Sequence, residues 1–191
     1  PAMNDAVALR NLRHALANLR RLLGDTQAEK PLLLISRHAV QLNPAADATV
    51  DAIAFRGHLA AATAHKTSEK IAITSWQAAV ALARGEFLQG FQVRGSVPWE
   101  EWLLLRREEF DQGILRALRG LSQAFERQGA YEQAQDYARQ WVQRAPWNEE
   151  AHHQLIRLLA LDGQRAAALA QYDLCCRLLG SELGVSRRRK R

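Results

Sequence analysis

The sequence has little cysteine and contains neither a long hydrophobic run nor a secretory signal. Cys175 and Cys176 are neighbours on an apolar stretch, where a disulfide between them would be strained, and this favours a reducing, cytoplasmic setting. The longest apolar stretches, such as residues 102–105, fall far short of the roughly 20 residues that span a bilayer. Because the chain starts at Pro1 within what reads as an ordered element, we expect a cytoplasmic fragment of a longer protein that does not cross a membrane.

Signatures of catalysis are also missing: the sequence has no recognisable glycine-rich phosphate loop, Ser/His/Asp set or paired-carboxylate motif. The nearest candidate for metal or acid–base chemistry is the group Glu149, Glu150, His152 and His153. Adjacent histidines on a helix point about 100° apart, and the His-Glu-x-x-His spacing of zinc sites is absent. Both glutamates suit the positive start of a helix. We therefore expect no enzyme activity, no metal and no cofactor.

The composition is that of a globular protein, with 48% hydrophobic and 24% charged residues among 191. The net charge of +6 lies at the two ends: residues 187–191 contribute +5 and residues 1–38 contribute +3, whereas the rest sums to −2. A nearly neutral body suits protein contacts better than a nucleic-acid groove, so DNA contact is expected at the N-terminus. The basic tail is either a contact to phosphates or an acidic protein surface, or an ordinary solvated tail.

An amphipathic helix is predicted over residues 5–23. Its leucines recur at spacings of three and four residues, the period of one helical face, and Gly24 supplies a left-handed stop. The opposite face is cationic and rich in amides. Arginine pairs with guanine and asparagine with adenine through two hydrogen bonds, although a solvated surface is the ordinary alternative. The candidate DNA-contacting residues on this helix are Arg10, Asn11, Arg13, His14, Asn18, Arg20 and Arg21.

A short β-hairpin is predicted over residues 32–42. Residues that favour β-structure flank Arg37 and His38, which would form a basic tip and complete the set of candidate DNA-contacting residues. Asn43-Pro44 ends this unit, because the residue before a proline is displaced from helical geometry.

Beyond the hairpin the sequence predicts only helices, over about residues 50–65, 71–84, 98–128, 131–145, 148–162 and 165–179. Gly129 and Gly163 are 34 residues apart. The same offset matches Leu121 with Leu155, Ala134 with Ala168 and Ala138 with Tyr172. This period, with small residues where paired helices cross, is typical of tetratricopeptide-like helical hairpins, each of which leaves an apolar face that a neighbour must cover.

The five tryptophans are candidates for a peptide groove, since aromatic residues are enriched at interfaces. Trp102 and Trp141 lie within apolar periodicity and are predicted to be core residues. Trp99 and Trp147 lie near helix starts and are the candidate partner-binding residues.

Residues 51–185 resemble the bacterial transcriptional activator domain. The resemblance rests on Ala-Leu-Ala-Arg-Gly-Glu-Phe-Leu at 81–88, Trp102, Arg106, Glu-Glu-Ala-His-His-Gln-Leu at 149–155, Ala-Leu-Ala-Gln-Tyr at 168–172 and Leu-Gly-Ser-Glu-Leu-Gly-Val at 179–185. In that family the helical domain follows a winged-helix DNA-binding domain of the response-regulator type. Residues 8–24 resemble its recognition helix, and the hairpin 32–42 would be its wing. Sequence upstream of the recognition helix is absent, and a basic run follows Ser186 where the family usually continues with proline and acidic residues.

The expected fold is all-α, with tetratricopeptide-like hairpin repeats preceded by a recognition helix and β-hairpin from a truncated winged-helix domain. The expected divisions are 1–46 for the C-terminal part of the winged helix, 47–186 for the activator domain and 187–191 for the basic tail. The resemblance implies a transcriptional activator that binds promoter DNA and whose repeats contact RNA polymerase, an adjacent sensor domain or a second copy. Because a recognition helix needs the rest of its domain to fix its angle in the groove, we expect weak or nonspecific DNA binding by these residues.

Two alternatives do not involve DNA. A protein-binding scaffold of tetratricopeptide type would use the N-terminal helix only as a cap, although a cap has no use for a basic-tipped hairpin. A regulatory module of a larger signalling ATPase would need a nucleotide-binding domain outside these residues.

Overall fold

The structure, a computed structural model, describes residues 5–65, 67–93 and 95–183. The basic tail predicted at 187–191 lies outside these residues. The chain divides between Val50 and Asp51 into two units. Among the described residues, the first unit holds one helix and a two-stranded sheet, and the second holds six helices.

The first unit begins with helix α1, Asp5–Leu22, which confirms the predicted amphipathic helix. It ends there because Gly24 adopts a left-handed backbone with a φ of 67°. The backbone N–H of Asp25 then donates to the carbonyl of Arg20 at 2.8 Å, which satisfies a carbonyl at the helix end.

The predicted hairpin is also confirmed, as strands β1, Leu33–Ile35, and β2, Val40–Leu42. The strands pair antiparallel, with Leu34 opposite Gln41 at the centre of the register. Asn43 closes the base of the hairpin, since its Nδ2 donates to the carbonyl of Pro31 at 2.7 Å. The assignment of this helix and hairpin to a winged-helix domain stays a prediction.

The side chain of Asp25 joins the end of α1 to the start of the hairpin. Its carboxylate is 1% exposed and accepts hydrogen bonds from the backbone N–H groups of Leu32 and Leu33, the second at 3.3 Å. The Nε of Arg20 lies 3.3 Å from the same carboxylate. A buried carboxylate needs such partners, because loss of water otherwise penalises its charge. This polar contact therefore holds α1 and the hairpin together.

The second unit is a stack of three helical hairpins, which confirms the predicted all-α fold after a short β-hairpin. Each helix packs most extensively on its hairpin partner, and α4 also touches both α2 and α6. No helix in the described part of the chain is both long enough and apolar enough to cross a membrane. In order, the pairs are α2, Asp51–Thr63, with α3, Glu69–Leu82; α4, Val97–Arg127, with α5, Tyr131–Arg144; and α6, Glu149–Leu161, with α7, Arg165–Leu183.

The 34-residue offset is visible in the backbone of the last two hairpins. Gly129 and Gly163 both adopt a left-handed backbone, with φ of 72° and 77°. The N–H that follows each glycine donates to the carbonyl five residues before it, at 3.0 and 2.8 Å. The two bonds run from Ala130 to Phe125 and from Gln164 to Leu159. The two turns are therefore the same helix-ending structure, repeated.

The side chains matched by this offset share their environment in two of three cases. Leu121 and Leu155 are both buried, as are Ala134 and Ala168. Ala138 is fully buried, whereas its match Tyr172 is 43% exposed. The difference arises because α5 packs between α4 and α6, while α7 packs chiefly on α6.

Two glycines inside α4 allow neighbouring helices to approach its backbone. A Cβ at Gly113 would lie 2.8 Å from Leu59 Cδ1 and 2.9 Å from Phe55 Cε1, and a Cβ at Gly120 would lie 2.7 Å from Trp76 Cζ2. Carbon atoms in packed interiors do not approach so closely, so α2 and α3 occupy the volume that a larger residue would need.

We predict that Gly113→Ala and Gly120→Ala each destabilise the second unit by about 1–3 kcal/mol, because the added methyl group overpacks the core. This loss outweighs the roughly 0.5–1 kcal/mol by which alanine favours a helix over glycine. Gly57→Ala in α2 is the matched control, since a Cβ there meets open space, and it should leave stability unchanged or raise it. Urea denaturation measures the free energy of unfolding; equal losses in all three variants would refute the packing argument.

We also predict that Asp25→Asn loosens the first unit by about 1–3 kcal/mol, because an amide nitrogen replaces one oxygen that accepts a backbone N–H. The Leu32 and Leu33 N–H groups donate to different oxygens of the carboxylate, and asparagine keeps only one of these oxygens. The expected result is faster amide hydrogen exchange at the residue whose N–H then faces the amide nitrogen. Asp47→Asn removes the same charge at an exposed position and should leave both exchange rates unaltered. Unchanged exchange in Asp25→Asn would show that the carboxylate does not hold the unit.

Candidate nucleic-acid and protein interfaces

Of the candidate DNA-contacting residues of α1, Arg13 and Arg20 flank the leucine face, and the other five lie on the opposite side of the helix. Within the described residues, no carboxylate pairs with Arg10 or Arg13. Their guanidinium groups are therefore free to meet a phosphate or a base edge. Six of the seven predicted side chains are exposed, namely Arg10, Asn11, Arg13, His14, Asn18 and Arg21.

The seventh residue, Arg20, is half-buried and forms an ion pair with the carboxylate of Asp25. This contact makes Arg20 a structural residue of the unit. The helical pattern alone did not reveal the contact, because Asp25 lies beyond the helix. Arg21 behaves differently: its guanidinium donates to the Oδ1 of Asn18 at 3.2 Å. This bond brings two predicted residues together on the exposed surface.

The tip of the hairpin presents Arg37 and His38 to solvent, as predicted. The side chain of Ser36 fixes the turn, since its Oγ accepts from the backbone N–H of His38 at 3.3 Å and of Ala39 at 3.0 Å. The backbone N–H of Ser36 donates in turn to the carbonyl of Ala39 at 2.9 Å. The two basic side chains therefore extend from a closed turn.

The leucine face of α1 is itself partly exposed. Leu9, Leu12, Leu19 and Leu23 each keep between 43% and 52% of their surface accessible. An amphipathic helix ordinarily packs such a face against a protein core. The first unit thus presents a basic surface on one side of its helix and an apolar surface on the other.

The two candidate partner-binding tryptophans differ in exposure. Trp147, between α5 and α6, is 58% exposed. Trp99 is half-buried, with its ring centroid 5.0 Å from that of Trp102 and 5.4 Å from that of Phe91. Trp102 is exposed although the sequence predicts a core residue, because it lies at the edge of this ring cluster; Trp141 is buried as predicted.

His152 is a buried structural residue. Its Nε2 lies 2.9 Å from the carbonyl of Pro146, and its Nδ1 lies 2.7 Å from the Nε2 of Gln171. A histidine whose Nε2–H donates to a carbonyl and whose Nδ1 accepts from an amide has no lone pair left for a metal. His153 points to solvent. The described residues contain no group of three or more His, Cys, Asp or Glu side chains that could hold a metal ion.

Ion pairs cross between the first helices of successive hairpins. Arg56 on α2 lies 3.0 Å from Glu109 on α4, and Arg119 on α4 lies 2.6 Å from Glu150 on α6. A hydrogen bond from Arg106, with Arg56 nearby, lowers the pKa of Glu109. This surface carries balanced charge, so a polyanion would have to displace existing partners to bind it.

The other shifted groups also belong to the packing of the hairpins. Amide hydrogen bonds from Gln164 and Gln135 lower the pKa of Asp162, and they tie the turn after α6 to α5. Burial raises the pKa of the Cys175 thiol, with smaller contributions from Cys176 and Glu149. Such perturbed groups mark an active site when they converge in a cleft, whereas these support separate helix contacts.

An exposed apolar surface on α4 was not predicted from the sequence, where residues 102–105 were considered only as a stretch too short to span a bilayer and Trp102 as a core residue. Leu103 is buried, whereas Leu104 and Leu105 are largely exposed. A signal was available: three consecutive residues of a helix span about 200°, so they cannot all face one core.

A family model for the bacterial transcriptional activator domain matches residues 50–190. The match covers well over half of the chain and includes every helix described in the second unit. A comparison with curated proteins gives no match. The stack of hairpins and the family match agree with the resemblance seen in the sequence, and the chain therefore belongs to the bacterial transcriptional activator domain family.

Proposed function

We propose that the protein is a cytoplasmic transcriptional activator whose first unit contacts promoter DNA and whose helical hairpins bind a protein partner. Membership of a transcriptional activator domain family supports the regulatory role of the second unit. The partners that fit this role are RNA polymerase, an adjacent sensor domain or a second copy. Trp147, as an exposed aromatic side chain, is a candidate contact for any of them.

The proposed contact with DNA rests on one observation, the exposed basic face of α1. Arg10 and Arg13 lack an ion-pair partner among the described residues, so binding a phosphate costs them no existing pair. Arg21 and Asn18 stand beside each other on the same surface. Arginine and asparagine can each make two hydrogen bonds to one base edge, which suits them to sequence reading.

The hairpin and the leucines of α1 support the winged-helix interpretation. In such a domain, α1 would be the recognition helix in the major groove, and the tip with Arg37 and His38 would reach the adjacent backbone or minor groove. Half-exposed leucines on the other side of α1 are what a helix would bury in the core of that domain. A single helix and hairpin fix the docking angle poorly, so we expect α1 and the hairpin by themselves to bind DNA weakly and largely nonspecifically.

A protein-binding scaffold that does not bind DNA is the second candidate. The exposed ring of Trp147 and the balanced ion pairs of the second unit favour it, because both suit contacts with protein. The two functions differ in whether the basic face of α1 contacts a polyanion.

We predict that the double variant Arg10→Gln and Arg13→Gln weakens DNA binding and flattens its salt dependence. Removing one arginine–phosphate pair should lower the slope of log affinity against log salt by about 0.9, so removing both should lower it by about 2. Fluorescence anisotropy of a labelled duplex between low and moderate salt measures this slope.

The matched control is Arg84→Gln with Arg165→Gln, which removes the same charge from exposed positions of the second unit. It should keep the slope of the unaltered chain. If the control lowers the slope as much as the α1 variant, binding reports only net charge. If the unaltered chain binds no DNA even at low salt, the scaffold function is favoured.

A further inference from the structure

The first half of α4 carries an apolar face that the described chain leaves uncovered. Leu105, Leu104 and Val97 are 71%, 69% and 62% exposed, the highest values among the large hydrophobic side chains described in the second unit. Successive residues of a helix lie about 100° apart, so this face points away from the side on which Leu103 is buried. We call it the outer face of α4; it consists of Val97, Glu101, Leu104, Leu105 and Glu108.

The outer face lies on a part of α4 that extends beyond the repeated hairpin. α4 has 31 residues, against 14 in α5. The 34-residue offset matches Glu149, where α6 begins, with Leu115, so residues 97–114 precede the repeated unit. Asp111 and Ile114 still contact α5, since Asp111 pairs with Arg144 and Ile114 shares a core cluster with Trp141. The part of α4 that extends beyond its hairpin with α5 is therefore its start, which includes Val97, Leu104 and Leu105.

This extension is held rigidly from its inner side. The rings of Phe87 and Phe110 stack with centroids 4.5 Å apart. Arg107 fastens the preceding loop, since its Nε donates to the carbonyl of Phe87 at 3.0 Å and its Nη2 to that of Leu88 at 3.2 Å. The outer face is therefore ordered before any partner arrives, which lowers the entropic cost of binding.

The charge around the outer face is negative and is not neutralised within the described chain. Glu101 and Glu108 lie on the face, and no ion pair involves either of them in the part of the chain that the structure describes. The nearby arginines point elsewhere: Arg106 lies 2.6 Å from Glu109, and Arg107 lies 3.3 Å from Glu86. Among the described residues, the exposed apolar side chains thus have carboxylates, and no free cation, interleaved with them.

We propose that the outer face of α4 binds an amphipathic helix of another protein that carries lysine or arginine beside its apolar residues. This proposal deepens the proposed function, on which it rests, by giving the chemistry of the protein partner. Val97 and Leu104 are seven residues apart, as are Glu101 and Glu108, and this is the spacing at which two packed helices repeat their contacts. Acidic residues beside an apolar seam select a basic partner helix.

The charge of the outer face disfavours its binding to the same face of a second copy. A two-fold contact through this face would bring Glu101 and Glu108 of both copies together, and like charges across an interface disfavour association. The outer face is therefore assigned to a different protein and not to self-association.

The test uses two labelled helical peptides as probes, one with leucine and lysine at heptad spacing and one with glutamate in place of every lysine. Anisotropy at physiological salt should show that the basic probe binds the full chain and that the acidic probe binds at least about tenfold more weakly. Leu104→Ser with Leu105→Ser should weaken the basic probe by about tenfold or more, because the apolar anchors are removed. Glu101→Gln with Glu108→Gln should weaken it several-fold and reduce its salt dependence.

Matched controls remove the same groups elsewhere on the second unit. Leu161→Ser with Leu169→Ser replaces two other exposed leucines, and Glu132→Gln with Asp173→Asn removes two other exposed carboxylates. Both should bind the basic probe as the unaltered chain does. Circular dichroism checks that each variant keeps its helix content, which is expected because every substituted side chain is exposed.

Three results would overturn the proposal. The first is no binding of the basic probe, or equal binding of both probes. The second is an equal loss of basic-probe binding in the control variants, which would show that binding depends only on net charge or general hydrophobicity. The third is self-association in sedimentation velocity that Leu104→Ser with Leu105→Ser abolishes, which would make the face a contact between copies.

The probe measurement also stands apart from the DNA measurement. Arg10→Gln with Arg13→Gln should leave binding of the basic probe unchanged, and Glu101→Gln with Glu108→Gln should leave the salt slope of DNA binding unchanged. The two measurements therefore distinguish failure of the DNA-binding proposal from failure of the helix-binding proposal.

Discussion

The second unit depends on close packing around one long helix. α4 packs extensively on α3 and α5 and also touches α2 and α6, so it contacts four of the five other helices described in the unit. Where α2 and α3 reach it, α4 has glycine in place of a side chain, and the ring of Trp76 would lie only 2.7 Å from a Cβ of residue 120. Close contact at these points gains dispersion energy that a larger residue would prevent, and this offsets the flexibility that glycine brings to a helix.

As a result of this arrangement, the two halves of α4 have different surroundings. The second half of α4 belongs to the repeated hairpin and is buried on several sides, as Leu118 and Leu121 show. The first half touches the preceding loop on its inner side, where aromatic rings and Arg107 hold it. The remaining side stays apolar and acidic because no neighbouring hairpin covers it among the described residues. A repeat fold thus supplies both a rigid support and an open surface.

The sequence predicted those features that depend on local periodicity. The leucine spacing of α1, the turns at Gly129 and Gly163 and the alanines at helix crossings all recur at short, fixed intervals, and the structure has each of them. It did not predict the role of Arg20, which depends on the position of Asp25 after the chain has turned. Nor did it predict the exposure of Trp102, which depends partly on the position of Phe87 in the preceding loop. Both contacts join a helix to a loop, and they arise only when the chain folds back on that helix.

The distribution of ion pairs assigns different roles to arginines of the two units. Among the described residues, eight arginines of the second unit each lie within 3.3 Å of a carboxylate, for example Arg144 beside Asp111. To bind a phosphate, each would first have to give up that partner, so the net gain would be small. Arg10 and Arg13 have no such partner to give up within the described part of the chain. The eight paired arginines therefore support contacts within the hairpin stack, whereas Arg10 and Arg13 leave positive potential for an external anion.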